Sequence, residues 1–224
     1  SILLPYKENF TKNYAGAVSI FVHSVNKESE FKSSIKIYGN TNYKDYLSKN
    51  YVNIPYRKKI YQSSSRIYVN NFIELEKKRK SDIIEIHNRP LYLKYFSELK
   101  DRKFVFYFHN DPLTMSGSIS VSERIFILKF CKKIIFNSEW TKNRFFSELS
   151  KFYYNSEKVE VIPQSTSRAK INLSKKQKII TFVGKLNKSK GYDLFGKAII
   201  KILNRFKDWN ALVFGDEHRE KINF

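Results

Sequence analysis

The sequence predicts an α/β protein with a doubly wound parallel sheet, followed by an incomplete second domain of the same type. Strand patterns alternate with helical patterns over about 160 residues. Strands such as 104–108 are continuous apolar runs, typical of strands buried on both faces. A new strand begins at residue 179, after a polar stretch. We therefore assign residues 1–168 to an N-terminal domain, 169–178 to a linker and 179–224 to the truncated start of a C-terminal domain.

The first domain begins with a short strand at 2–5 and a helix that starts at Ala17, where apolar residues follow helical spacing. Residues 40–65 are polar and rich in tyrosine, and no element is assigned to them. Pro90 is expected to begin a helix, since proline is favoured at the first helical position. Ser138 is a good N-cap for the helix that follows it. The remaining expected strands lie at 34–39, 82–87, 104–108, 133–137 and 159–163, and the remaining helices at 66–80, 91–99, 118–132 and 139–149.

The second domain opens with an apolar strand at 179–183, a basic loop and a helical pattern that begins at Gly191. A further strand is expected at 210–215. The loop carries several lysines next to a helix start, where unpaired N–H groups attract anions. This arrangement favours a site for a diphosphate, although a solvated basic loop in a lysine-rich protein gives the same pattern.

The composition is that of a globular protein, with 224 residues of which 42% are hydrophobic. The net charge of +21 would suit a nucleic-acid binder, but the lysines are scattered rather than clustered. We attribute the charge mainly to composition bias, and it allows weak attraction to an anionic membrane face. The single cysteine, Cys131, excludes an internal disulfide and is expected to be a buried apolar side chain. No apolar stretch is long enough to span a bilayer, and no signal peptide is visible.

Polar residues follow two of the predicted strands at the point where each strand ends. Ligands of doubly wound sheets bind at the carboxyl ends of the strands. A single histidine at such a place is more often structural, but two strand ends that read His-Asn favour a functional site. The residues concerned are His87, Asn88, Arg89, His109, Asn110 and Asp111.

The segment 184–191, Gly-Lys-Leu-Asn-Lys-Ser-Lys-Gly, resembles the G-[RK]-L-x-x-x-K-G signature of retaining GT-B glycosyltransferases, in particular glycosyltransferase family 4. The resemblance implies a GT-B fold with two Rossmann-like domains. It also implies that Lys185 and Lys190 bind the diphosphate of a sugar nucleotide and stabilise it as it leaves. Gly184 and Gly191 frame this donor site.

Other segments resemble the same family. Gly16 matches a position whose main-chain amide contacts the donor diphosphate, and Gly215 matches the glycine that ends a strand of the second domain. Segments 82–90 and 106–112 are similar to the family's His-Asn-Arg-Pro and His-Asn-Asp-Pro stretches. The resemblance implies that His109 is catalytic, beside the donor sugar. It implies an acceptor-side role for His87, Asn88 and Arg89, and we extend that role to Asn110 and Asp111.

Two departures from the family pattern accompany these matches. The family's Pro-Asn-Gly-Val-Asp is replaced by Pro-Gln-Ser-Thr-Ser at 163–167, so the family's local turn is not predicted here, but the replacement affects none of the expected catalytic residues. The family's Glu-x7-Glu motif, which holds the donor sugar and ribose, has no counterpart. We therefore expect the 224-residue chain alone to be inactive.

For the complete enzyme, the resemblance implies transfer of a hexosyl-type group from a UDP-, GDP- or ADP-sugar with retention of configuration. The acceptor would be a glycan, a lipid-linked molecule or another cell-envelope component such as lipopolysaccharide. No cofactor is expected, and the absence of any Asp-x-Asp sequence agrees with a reaction that needs no metal. A cytoplasmic location is expected, including the inner face of the membrane, without nucleic acid as a partner.

Two alternatives remain open. Another GT-B enzyme, such as a nucleotide-sugar epimerase or a phosphorylase, would share the sheet architecture. A basic module that binds nucleic acid or an anionic surface would account for the charge. The donor, the acceptor and the oligomeric state are not encoded in these patterns.

Overall fold

The strands of the described residues form two parallel sheets, one in each of two units. The computed structural model describes residues 1–56, 61–99, 101–154, 157–166 and 176–215, together with residues 168, 170, 172 and 174. The units comprise Ser1–Ser167 and Arg168–Phe224. Four positions of the predicted linker, and residues 216–224 of the predicted C-terminal domain, lie outside the described residues.

The first unit contains a seven-stranded sheet in the order β3-β2-β1-β4-β5-β6-β7, with every neighbouring pair parallel. The chain moves outward in one direction from β1 to β3 and then returns to the other side of β1. Ligands of doubly wound sheets bind where the strand order reverses, which here is between β1 and β4. The strands are β1 (Ile2–Leu3), β2 (Ile37–Gly39), β3 (Tyr51–Asn53), β4 (Ile83–His87), β5 (Lys103–Phe108), β6 (Lys133–Phe136) and β7 (Val159–Val161).

Four α-helices accompany this sheet. They are α1 (Ala17–Glu28), α2 (Ser64–Arg79), α3 (Val121–Phe130) and α4 (Glu139–Phe146). The N-cap prediction for Ser138 is confirmed, since its side chain accepts a 3.2 Å hydrogen bond from the Thr141 amide. Helix α3 begins at Val121 rather than Ser118, because Ser120 and Glu123 form a reciprocal capping box that fixes its start.

Two buried apolar clusters fill the first unit: a large one that includes the central strands, and a smaller one formed by Leu4, Phe10, Val18, Val22, Ile37 and Tyr51. Phe104, Phe106 and Phe108 of β5 are each at most 1% exposed, as expected for a central strand of a parallel sheet. The prediction that Cys131 is a buried apolar side chain is also confirmed, and burial raises the pKa of its thiol. The rigid core fixes the positions of the strand ends that carry polar residues.

Two parts of the element prediction differ from the structure. The segment after Pro90 forms the 3-10 helices Pro90–Tyr95 and Ser97–Leu99 rather than an α-helix. Leu93, Phe96 and Leu99 are spaced by three and all buried, which suits the three residues per turn of a 3-10 helix. Strand β3 lies in the stretch for which no element is predicted.

The second unit contains a two-stranded parallel sheet and one α-helix among its described residues. Strand β8 (Ile179–Val183) pairs in register with β9 (Asn210–Phe214), and α5 (Tyr192–Arg205) connects them. A 3-10 turn, Lys188–Lys190, lies within the predicted loop. Across the described parts of both units, no helix combines the length and apolar character required to cross a membrane.

Candidate functional site

The strand ends with polar residues come together at one edge of the first sheet. Strands β4 and β5 are neighbours, and His87 lies opposite Tyr107 in their register. Side chains two residues apart on a strand share a face. Glu85 and His87 therefore face the same side as Tyr107 and His109.

A chain of hydrogen bonds links these side chains. The Nδ1 atom of His87 lies 2.8 Å from Nε2 of His109. The other nitrogen of His87, Nε2, lies 2.6 Å from Oε1 of Glu85. At the other end, the side-chain nitrogen of Gln164 contacts Nδ1 of His109. The order of the chain is Gln164, His109, His87, Glu85, and His87 is fully buried within it.

Aromatic packing fixes the planes of the two imidazoles. The Tyr107 ring stacks on His109 with a centroid distance of 4.4 Å and an angle of 12°. Phe21 of α1 meets the His109 ring edge-on at 5.2 Å. The Tyr107 hydroxyl donates a 2.7 Å hydrogen bond to the carbonyl of Ile162, just beyond β7. Rotation of the His109 ring would disturb these contacts, so its two nitrogens have fixed directions.

Two asparagine side chains hold the backbone of His109. The Oδ1 atom of Asn88 accepts a 3.2 Å hydrogen bond from the His109 amide. The Nδ2 atom of Asn137, at the end of β6, donates a 2.9 Å hydrogen bond to the His109 carbonyl. Asn88 has φ of 57°, a left-handed conformation that asparagine adopts more readily than most residues. Asn88 therefore joins the ends of β4 and β5.

The other predicted acceptor-side residues have different surroundings. Arg89 is exposed and donates a 2.8 Å hydrogen bond to the Asn88 carbonyl. It borders a pocket of about 310 Å³ that segments 88–92 and 114–116 line together with Ser65. Asn110 is exposed.

Asp111 has a structural partner. Its carboxylate accepts hydrogen bonds from Nε and Nη2 of Arg144 at 3.2 and 3.1 Å, and it also accepts a bond from the Leu113 amide. The carboxylate therefore ties the turn after β5 to α4. An acceptor-side role for Asp111 remains a prediction.

Gly16 is the N-cap residue of α1, as the sequence predicts for a helix start. The carboxylate of Glu8 lies directly against it, so that a Cβ atom built on Gly16 would meet Glu8 Oε1 at 2.0 Å. The same oxygen accepts a 3.1 Å hydrogen bond from the Ser19 amide. Carboxylates are stabilised at helix N-termini by the dipole and the unpaired N–H groups. The start of α1 thus holds an anionic side chain of the protein itself.

The electrostatics of the histidine cluster favour an uncharged His109 ring. Burial, together with the neighbouring His87, lowers the pKa of His109 to about 3. Burial alone would raise the pKa of the Glu85 carboxyl, but the hydrogen bond with His87 and nearby positive charge, that of the N-terminal ammonium group included, together outweigh burial and lower the pKa. Glu85 is thus an ionised acceptor, and His109 is neutral at pH 7.

The depressed pKa of His109 predicts a loss of stability in acid. Between pH 6.5 and 3 the unfolded chain protonates this histidine and the folded chain does not, so stability falls as the pH falls. For one proton, the free energy of unfolding changes by at most about 1.4 kcal/mol per pH unit. Urea unfolding at pH 4.5 to 7 would measure it, with Trp140 fluorescence reporting on the first unit in a Trp209→Phe background.

The matched variant for this measurement is His109→Gln, which cannot take up the proton. Glu85 is also titratable and contacts the cluster through His87. Its contribution to the pH dependence of stability is present in both the parent and His109→Gln. We expect a shallower pH dependence in His109→Gln than in the parent. Equal slopes in the two proteins would contradict a depressed pKa at His109.

In the second unit, the basic loop follows β8 and is fixed by Asn187. The Oδ1 atom of Asn187 accepts hydrogen bonds from the Lys190 amide at 3.2 Å and from the Ser189 hydroxyl at 2.9 Å. Leu186 is buried, whereas Lys185 and Lys190 are exposed. Within the described residues, neither of these two lysines forms an ion pair. Gly191 is the N-cap residue of α5, so the loop leads directly into a helix start.

Gly184 and Gly215 lie side by side where β8 and β9 end. A Cβ atom built on Gly215 would be 2.1 Å from the carbonyl oxygen of Gly184, closer than any side chain tolerates. The two strand ends therefore approach closely only because position 215 has no side chain. The second unit thus brings together the predicted donor-site residues Gly184, Lys185, Lys190, Gly191 and Gly215.

Gly215→Ala is expected to destabilise the second unit by about 2 kcal/mol, because the methyl group forces β8 and β9 apart. Urea unfolding followed by Trp209 fluorescence in a Trp140→Phe background would measure the change. Asn210→Ala, at the exposed opposite end of β9, is the control and should change stability little. Equal unfolding midpoints for the two variants would show that the ends of β8 and β9 can accommodate a methyl group at position 215.

Several contributors to the first-unit cluster are absent from the sequence prediction, namely Phe21, Glu85, Tyr107, Asn137 and Gln164. Glu85 could have been found, since it precedes His87 by two residues in a strand and must share its face. The contacts of Phe21 and Gln164 arise from tertiary packing and carry no local signal. Segment 163–167, where the sequence departs from the family pattern, includes Gln164, and this residue contacts His109.

Within the described ranges, no group of three or more His, Cys, Asp or Glu side chains is placed to hold a metal ion. Independence from metal remains a prediction.

Comparison with known proteins identifies relatives of the second unit by sequence and of the chain by fold. Residues 163–223 match the family model described as "Glycosyl transferases group 1". This stretch includes the basic loop and both glycines at the ends of β8 and β9. No curated protein matches the sequence.

Solved structures resemble nearly the whole chain. Sucrose-phosphate synthase from Thermosynechococcus elongatus has a TM-score of 0.66 at 13% identity and matches 98% of this chain and 63% of its own. HepE from Anabaena, in complex with UDP and glucose, has a TM-score of 0.63 at 14% identity over 95% and 60% of the two chains. UDP-GlcNAc 2-epimerase from Neisseria meningitidis, bound to UDP-GlcNAc, has a TM-score of 0.56 at 12% identity over 97% and 66%.

These likenesses establish the fold. The chain is a mostly parallel α/β protein with a partial GT-B fold, as the sequence predicts. It spans about two thirds or less of the length of each of the three solved proteins.

Proposed function

We propose that the chain is part of a glycosyltransferase that uses a nucleotide-sugar donor. One observation carries the proposal: the basic loop lies inside the stretch that matches the glycosyl transferases group 1 model, and its residues Lys185 and Lys190 are exposed and form no ion pair within the described residues. The fold likeness to HepE, whose structure contains UDP and glucose, supports a nucleotide-sugar donor.

The proposed chemistry follows from charge. Cleavage of the bond between sugar C1 and phosphate leaves a cation-like carbon and a diphosphate anion, so the protein must stabilise the growing negative charge. In the second unit, Lys185, Lys190 and the start of α5 supply positive potential for this purpose. We further propose that the reaction retains configuration and needs no metal, with the leaving phosphate accepting the proton of the acceptor hydroxyl.

In the first unit we propose that the His109 cluster lines the sugar site. Its Asn88 contact and the pocket beside Arg89 place polar groups at the same sheet edge, which suits a polyhydroxylated ligand. The acceptor is proposed to be a glycan or a lipid-linked molecule of the cell envelope. A location in the cytoplasm, including weak attraction to the inner membrane face, is proposed from the net charge of +21.

The test uses the full-length protein that contains this chain. Sugar nucleotides with UDP, GDP or ADP would be added in turn while thermal unfolding is followed. A bound donor raises the melting temperature in proportion to the logarithm of its excess over Kd. Sugar transfer would then be assayed with that donor and a panel of glycan and lipid-linked acceptors. Failure of every sugar nucleotide to stabilise the protein would contradict the proposal.

A nucleotide-sugar epimerase is the second candidate, because the Neisseria epimerase shares the fold. The two functions differ in their need for an acceptor. A transferase forms its glycosylated product only when an acceptor is present, whereas an epimerase converts the sugar nucleotide alone. Epimer formation without acceptor would replace the proposed function with this alternative.

A further inference from the structure

The chain of hydrogen bonds behind His109 has a definite direction. Its inner end is the Glu85 carboxylate, which only accepts hydrogen bonds when it is ionised. The Nε2 atom of His87, 2.6 Å away, must therefore carry a proton. If the His87 ring is neutral, its Nδ1 atom is an acceptor, and the proton between the two histidines belongs to Nε2 of His109.

The surroundings of the two groups differ in how well they accommodate a charge. The His87 side chain is 0% exposed, whereas the Glu85 side chain is 30% exposed. The partly exposed Glu85 carboxylate keeps some contact with water, whereas a positive imidazole at position 87 would lie among aromatic rings. A charge on the carboxylate is therefore less costly than a charge on the buried ring.

The outer end of the chain agrees with this direction. A neutral His109 with its proton on Nε2 has a free lone pair on Nδ1, and the Gln164 side-chain nitrogen, a donor, lies against that atom. Every hydrogen bond in the chain then has one donor and one acceptor. Gln164 itself is exposed, so its amide is free to give way to another donor.

We infer that Glu85 and His87 are positioning residues that fix the proton of His109 on Nε2, so that Nδ1 is presented at the sheet edge as a hydrogen-bond acceptor. Gln164 occupies this acceptor in the structure. A ligand hydroxyl can take its place, and that ligand is a sugar if the proposed function holds; this last step rests on the proposed function. The stacked Tyr107 ring keeps the imidazole from turning over.

The tautomer can be observed directly in the full chain without any substrate. With ¹⁵N-labelled histidine, long-range proton–nitrogen spectra distinguish a nitrogen that bears a proton from one that does not. The chain has four histidines; replacing His23 and His218 by glutamine leaves the signals of His87 and His109, and adding His109→Gln in that background tells these two apart. We expect His109 at pH 7 to carry its proton on Nε2. A proton on Nδ1 of His109 in the parent protein would overturn the inference.

Variants test the two ends of the chain. Glu85→Gln replaces an obligate acceptor by an amide that also donates, so we expect signals of both His109 tautomers. Glu160→Gln, a carboxylate on β7 that pairs with Lys133, is the matched control and should leave the His109 signals unchanged. If the His109 tautomer is unaltered in Glu85→Gln, Glu85 does not position the His109 proton.

Gln164→Glu changes an exposed residue and should not disturb folding. It places an acceptor against Nδ1, so we expect the His109 proton to move from Nε2 to Nδ1, or both nitrogens to become protonated. No change would show that Nδ1 does not face residue 164. The assay of sugar transfer tests the proposed function separately. If no sugar is transferred but the His109 tautomers are as expected, the proposed function is contradicted, whereas the positioning role of Glu85 and His87 still holds.

Discussion

Replacement of Lys185 by alanine is expected to lower kcat of the full-length protein about 100-fold, because loss of one group that stabilises developing charge typically costs that much. Lys185 is exposed at the end of β8 and has no ion-pair partner within the described residues, so its charge is available to an anion. A donor bound through its diphosphate should also bind more weakly. Steady-state kinetics and thermal stabilisation by the donor would measure the two effects.

The matched control for Lys185→Ala is Lys197→Ala, on the exposed side of α5. It removes the same charge from the same unit, away from the loop, and should leave kcat within about twofold if charge acts locally. Lys185→Arg retains the positive charge and should keep more activity than alanine. Unchanged turnover and donor affinity in Lys185→Ala would exclude this lysine from the mechanism.

Gly117→Ala is expected to destabilise the first unit by about 3 kcal/mol, through backbone strain and steric overlap together. Gly117 has φ of 96°, which residues with a Cβ rarely adopt. A Cβ atom would lie 2.4 Å from the Leu91 amide nitrogen and 2.8 Å from the Pro90 carbonyl carbon. These are backbone atoms and cannot turn aside, so the segments after β4 and β5 would have to separate.

Urea unfolding in the Trp209→Phe background, followed by Trp140 fluorescence, would measure the effect of Gly117→Ala. Ser116→Ala changes the exposed neighbouring residue and should alter stability by no more than about 0.5 kcal/mol. The histidine spectra should also change in Gly117→Ala, since the two segments lead from the strand ends that carry His87 and His109. Equal stability of the two variants would show that the contact with Leu91 is not tight.

Most of the fold follows from the sequence, because its strands are apolar runs long enough to stand out. Strands β4, β5 and β6 are examples, and the N-cap at Ser138 gives a further local signal. Strand β3 has only three residues in a polar stretch, so pairing with β2 rather than its own composition makes it a strand. The segment after Pro90 satisfies both helical patterns, and tertiary packing selects the 3-10 form.

The sequence predicts which strand ends form the candidate site, but not the side-chain contacts within it. The ends of parallel strands meet at one sheet edge, so the proximity of His87 and His109 follows from topology. Their direct hydrogen bond and the ring stacking depend on side-chain orientations that strand patterns do not define. Gln164 is distant in the sequence and is brought to His109 by the end of β7.

The position of Glu8 has a consequence for any anion that approaches the start of α1. That place already holds a carboxylate, tethered to the same chain and bonded to the Ser19 amide. An external anion must displace the Glu8 carboxylate. The effective concentration of this carboxylate is high because it belongs to the same chain and cannot diffuse away. Small ions such as free phosphate would seldom succeed. The arrangement therefore discriminates in favour of larger molecules that gain additional contacts elsewhere on the surface.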